Sequence, residues 1–187
     1  MLPTAFVQAD DPDTFQVETI SMKFKPGKNL EDVLSLREKF ADFANAGDIQ
    51  FGSRILVPWA VSKAALPDDQ DWDALWIGFS PNTGEYSKAL GYYLDNGDSF
   101  NADFDAVRTN VATTLMGGHV VFRSEAGAPE GVGATLFRTC QLKSKQTLND
   151  AKTAMVSMSE KLKASGTNMA TLAKNGVEIF FTQVLRD

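Results

Sequence analysis

His119 is the single histidine among 187 residues, and Cys140 is the single cysteine. An imidazole that follows Gly117-Gly118 at a strand start could serve as a general base or as an axial haem ligand. One histidine cannot build a multi-histidine metal centre, and no cysteine or carboxylate set compensates, so no metal is expected. The plainer reading of His119 is a structural or solvent-exposed side chain. Cys140 alternates into the apolar run Leu136–Leu142 with no histidine beside it, which reads as packing rather than as a nucleophile. A lone cysteine also excludes an intramolecular disulfide.

The large amphipathic aromatics are concentrated in one stretch: Trp59, Trp72 and Trp76, then Tyr86, Tyr92 and Tyr93. Such rings offer apolar area with a polar tip and could line a ligand cleft, with Trp76 and Trp59 as walls. They could equally fill a core or an interface. If the strand face carrying Leu75, Ile77 and Phe79 meets the helices, Trp76 points away from them, toward a cleft. Arg37 at the edge of an apolar helical stripe, and Arg54 and Arg123 near strand ends, could orient a carboxylate. The alternative for each is an arginine that lays its stem on apolar surface and keeps its head in water.

Two other motifs fall away on spacing. Asp68, Asp69, Asp71 and Asp73 form an acidic run, but the glycine and terminal glutamate of a calcium loop are missing. The glycine-rich stretch Gly127–Gly133 lacks the Lys-Ser/Thr of a phosphate-binding loop and does not lead from a strand into a helix. No other cofactor is therefore expected. A net charge of −6 and an isoelectric point near 4.8 repel phosphate backbones and anionic lipid, which argues against nucleic-acid and membrane partners. No apolar run reaches the length of a membrane-spanning helix.

These residues must be positioned by regular elements. Val17–Phe24 alternates so that Ile20, Met22 and Phe24 share one face with Glu18, the pattern of a half-buried strand. After Lys25-Pro26-Gly27-Lys28, Asn29 can cap a helix whose Leu30, Val33, Leu34, Leu36, Phe40, Phe43 and Ala44 form an apolar stripe, closed by Gly47. Strands are expected over Arg54–Val61 and Ala74–Phe79, a helix over Thr83–Asn96 ending at Gly97, a short helix over Phe100–Thr109 and a strand over Val120–Phe122. The order β-α-β-β-α-β is the split unit of a ferredoxin-like α+β fold, an antiparallel sheet with helices on one face.

The same phrasing returns 118 residues later, from Leu30 to Leu148. Leu136–Leu142 reads as strand, Lys143–Gln146 as turn and Thr147 as cap. A helix carrying Leu148, Ala151, Met155, Met158 and Leu162 then ends at Gly166. Asn168–Ala173 and Val177–Leu185 remain as strands. The expected organisation is an N-terminal extension at 1–14, a first ferredoxin-like unit at 15–124, a linker at 125–133 and a second, incomplete unit at 134–187. A sheet lacking its last strand has an open edge, so the two sheets are expected to pack face to face and the protein to form a homodimer. Residues 1–9, with Ala9 before Asp10-Asp11, resemble the tail of an export signal without its basic start. A cytoplasmic protein is expected, or a periplasmic one if that segment is a signal remnant.

Three stretches together resemble the dimeric α/β-barrel superfamily in its tandem-repeat bacterial form. They are the strand running into Lys25-Pro26-Gly27-Lys28, the strand end Trp76-Ile77-Gly78-Phe79-Ser80-Pro81, and Phe104-Asp105 before the last strand of the first unit. The resemblance implies two ferredoxin-like sheets around a central cleft and does not choose an activity. The leading functional expectation is a binding module for a small apolar or aromatic molecule, with Trp76 and Trp59 as walls, Arg54 or His119 as the orienting group and Arg37 in reserve. The rivals are a cofactor-independent monooxygenase or isomerase with His119 as base, and an assembly protein without a site.

Overall fold

Asn29 starts the first helix in the way its sequence implies. The structure, a computed structural model, describes residues 14–58, 71–122, 142–164 and 179–184. β1 (Thr14–Phe24) leads through a turn, with Gly27 in the left-handed region at φ 77°, to α1 (Leu30–Leu34). Asn29 Oδ1 accepts from the backbone N–H of Glu31 (2.9 Å) and Asp32 (3.3 Å), while Asp32 Oδ2 accepts from Asn29 N–H (3.0 Å). This reciprocal pair satisfies donors that a helix start otherwise leaves open.

The single helix expected from Asn29 to Gly47 is two. Ser35 Oγ donates to the Asp32 carbonyl (2.7 Å), a local bond that competes with helical pairing. α2 (Arg37–Ala46) starts afresh after Leu36 and closes at Gly47, whose N–H donates to Phe43 O.

β2 (Gly52–Leu56) starts two residues before its expected position, and β3 (Ala74–Ser80) and α3 (Thr83–Asn96) fall where the sequence places them. α4 (Asp98–Asp105) ends earlier than expected, because the chain turns at Ala106-Val107 and β4 (Arg108–Phe122) begins. The expected strand over Val120–Phe122 is therefore only the end of a 15-residue one. Its middle is masked in the sequence by Gly117-Gly118. At Gly118 a Cβ would lie 2.5 Å from the Phe15 ring, so the glycine is there for packing rather than to break the strand. α5 (Leu148–Ala164) is capped by Thr147 and Asp150 as α1 is by Asn29 and Asp32, and β5 (Ile179–Val184) follows.

The five strands form one antiparallel sheet in the order β2-β3-β1-β4-β5. Its first four strands have the ferredoxin-like order, with β1 central. Side chains alternate between two faces. One carries Met22, Phe24, Ala74, Trp76 and Ile55 and packs with Val33, Leu36 and Val107 into the core beneath the helices. The other carries Phe15, Val17, Ile77 and Phe79, with Phe15 and Phe79 ring centroids 6.1 Å apart and Val17 and Ile77 buried.

The α+β, ferredoxin-like class stands. The strand expected over Val177–Leu185 exists as β5, but it pairs with β4 and extends the first unit's sheet. A single sheet is found among the described residues. The outer backbone groups of β4 have no partner in a four-stranded sheet and take β5. Leu142 is exposed coil, and the rest of the strand expected over Leu136–Leu142 lies outside the described residues. So do the strand expected over Asn168–Ala173, the linker 125–133, Gly166, Cys140, Arg123, Asp68, Asp69 and the segment 1–9. No helix among the described residues is long and apolar enough to cross a membrane.

Candidate functional site

Among the described residues, those singled out in the sequence do not meet. Ile55 pairs with Trp76 and Arg54 with Ile77, so Arg54 and Trp76 are on opposite faces of the sheet. Arg54 is exposed and its Nη1 donates to the neighbouring Ser53 carbonyl at 2.9 Å. Trp76 lies on the helix side, against the expectation that it faces a cleft: its ring stacks on Phe51 (centroids 5.5 Å, planes 12° apart) and meets Phe40 edge-on at 6.3 Å. The face bearing Leu75, Ile77 and Phe79 points away from that layer. Arg37 is exposed at the start of α2, and Trp59 lies outside the described residues. His119 is half-buried near the end of β4, paired with Thr14 and thus in phase with Gln16 and Glu18. Among the described residues no group of three or more metal-ligating side chains comes together.

A different cluster does form, where the first turn of α3 lies over the centre of the sheet. Asn82 caps α3 by accepting from Glu85 N–H (2.9 Å), which fixes the helix start and with it the positions of Thr83, Glu85 and Tyr86. Beneath that turn, β1 presents Gln16 and Glu18. Gln16 Nε2 donates to Thr83 Oγ1 (3.0 Å), and Tyr86 Oη donates to Glu18 Oε1 at 3.4 Å, a long bond. Ser80 is paired with Gln16 across β3, and Gly78 with Glu18.

One polar atom in this cluster, Ser80 Oγ, is buried without a hydrogen-bond partner among the described residues. Such an atom costs about 1–3 kcal/mol, so nothing in packing alone favours it. The apolar side of the cluster is Phe51 and Trp76. They crowd the space above Gly78, where a Cβ would lie 2.2 Å from Phe51 Cζ and 2.4 Å from Trp76 Cη2.

The electrostatics follow from burial. Removal from water pushes the Glu18 carboxyl above its ordinary range, and the Tyr86 hydroxyl only partly offsets this. Burial, the Glu18 charge and the shared hydrogen bond together push Tyr86 up to about 12. A carboxyl with a raised pKa beside a buried hydroxyl can hold or release a proton nearer to neutrality than a free glutamate can.

Sequence reasoning missed this cluster, although one signal was there: Glu18 lies in phase with Ile20, Met22 and Phe24, a carboxylate on the buried face of its strand. Tyr86 was visible only as one aromatic among several.

No protein-family model matches the chain, and no curated protein does. Among solved structures it is similar to a crystal structure provisionally assigned as a chlorite dismutase. The identity is 11% and the TM-score 0.33, over 56% of this chain and 42% of that one. The chain spans less than half the length of that protein, and so loose a likeness says nothing about activity.

Proposed function

We propose that the protein binds a small, mostly apolar molecule bearing an uncharged hydrogen-bonding group at the Glu18–Tyr86 cluster. Phe51 and Trp76 supply the apolar wall, and Ser80, Glu18 and Tyr86 the polar handle. One observation carries this reading: the buried hydroxyl of Ser80, paired across the sheet with Gln16, lacks a hydrogen-bond partner among the described residues two positions along from the half-buried Glu18–Tyr86 pair. A ligand hydroxyl or amide could satisfy it. The Glu18 carboxyl disfavours an acid there, which sets this reading apart from one built on Arg37 or Arg54. Because Ser80 Oγ is closed to solvent, entry requires the first turn of α3 to lift.

The test is native mass spectrometry of the purified protein beside its denatured mass, which reports retained ligand and subunit count together. The expected result is a reproducible small-molecule mass in the wild type, lost in Glu18→Gln and Tyr86→Phe variants. Retention of the same mass by both variants would place the ligand elsewhere. A second reading is favoured by the raised carboxyl of Glu18, namely removal of a proton from the carbon beside a bound carbonyl group and its return to another carbon, as in an isomerase, with Glu18 rather than His119 as the base that carries the proton. It requires turnover that disappears in Glu18→Gln and survives in His119→Ala.

A further inference from the structure

Arg108 opens β4 at the far end of β1 from the Glu18 cluster. It pairs with Phe24, six residues along the strand from Glu18 and so roughly 20 Å away. Its guanidinium carbon sits 5.1 Å from the centre of the Phe104 ring, and Phe104 continues through Phe100 (4.7 Å) to Phe43 (4.6 Å). The residue is half-buried, and its Nε and Nη1 are buried without a hydrogen-bond partner among the described residues. Two acceptors on the neighbouring helix are committed elsewhere: Asn101 Oδ1 receives Tyr93 Oη at 2.7 Å, and Asp103 is paired with Lys39 at 2.5 Å, while Asp105, whose charge acts on Arg108, makes no hydrogen bond to these two nitrogens. Burial pushes the guanidinium below its usual pKa, opposed by the charge of Asp105.

A guanidinium always carries its charge, and a buried one requires acceptors. We propose that Arg108 is the anchor of a second ligand site, one that takes a monocarboxylate on an apolar, preferably aromatic, body. The planar guanidinium matches a carboxylate in shape, and the Phe104, Phe100 and Phe43 rings continue the site as apolar surface. A phosphate dianion fits less well, because Asp105 and the net charge of −6 repel two charges more than one.

The experiment is a calorimetric titration of the full chain with benzoate, acetate and inorganic phosphate at constant ionic strength, in wild type, Arg108→Met, Arg108→Lys and, as an exposed arginine outside the site, Arg54→Met. The expected result is saturable benzoate binding, weaker for acetate and for phosphate, reduced at least tenfold in Arg108→Met and unchanged in Arg54→Met. Absence of saturable benzoate binding to the wild type, or equal affinity in Arg108→Met, would overturn the assignment. Phosphate binding as tightly as benzoate would overturn the ligand class. If Arg108→Met does not fold, Arg108→Lys decides: it keeps the charge and loses the planar fork, so at least a threefold loss is expected and an unchanged affinity refutes the site.

Discussion

Phe51 stacks on Trp76 directly above Gly78, and the missing side chain of that glycine is the space the two rings occupy. A methyl group there would meet both rings well inside contact distance. Gly78→Ala is therefore expected to cost about 1–3 kcal/mol by overpacking, read as a lower urea midpoint with an unchanged slope. The same variant should weaken any ligand held against these rings.

Glu18 sets a pH dependence whose sign can be worked out. Its folded pKa is raised above the unfolded 4.5, so the contribution of its neutral form is fully present below pH 4.5 and is lost as pH rises through the folded value. Replacing it with glutamine removes that loss. Glu18→Gln should match the wild type in stability near pH 4 and exceed it at pH 8, as measured by urea unfolding at both values. Tyr86 behaves in the same sense at higher pH, with stability present below 10 and lost through about 12. In an ultraviolet titration of the three tyrosines, Tyr86 should ionise near 12 and do so earlier in Glu18→Gln.

Asn82 holds the first turn of α3 over the sheet, so its effect reaches the site without touching a ligand. Asn82→Ala should cost about 0.5–2 kcal/mol and weaken binding at Glu18, while Asn82→Asp should restore most of the stability. Thermal unfolding of the three proteins side by side tests the order.

Ser159 is fully buried in α5, and its hydroxyl has no partner among the described residues. Ser159→Ala should raise stability by about 1 kcal/mol, because the desolvated hydroxyl is removed with almost no change in volume. A decrease in melting temperature would mean that the hydroxyl bonds to something the described residues do not include.

What could be read from the sequence was what neighbouring residues decide. α3 is bounded as expected because Asn82 and Gly97 are local signals, and Asn29 with Asp32 and Thr147 with Asp150 act within four residues of each other. β4 was read only in its last three residues, since Gly117-Gly118 resembles a breaker until Phe15 is known to lie against it. The candidate site was illegible for the same reason. Tyr86 and Glu18 are 68 residues apart and meet only once α3 crosses β1. The direction in which Trp76 faces depended on which side of the sheet the helices cover, and alternation along a strand leaves that choice open.

The central place of β1 has a cost during synthesis. Its partners are β3 and β4, and the second of these is not complete until Phe122 has left the ribosome. At roughly 5–20 residues per second the nascent strand waits on the order of ten seconds for it, and one backbone edge stays free even after β3 has emerged. The strand paired on both edges in the finished molecule is thus one whose second partner is made late.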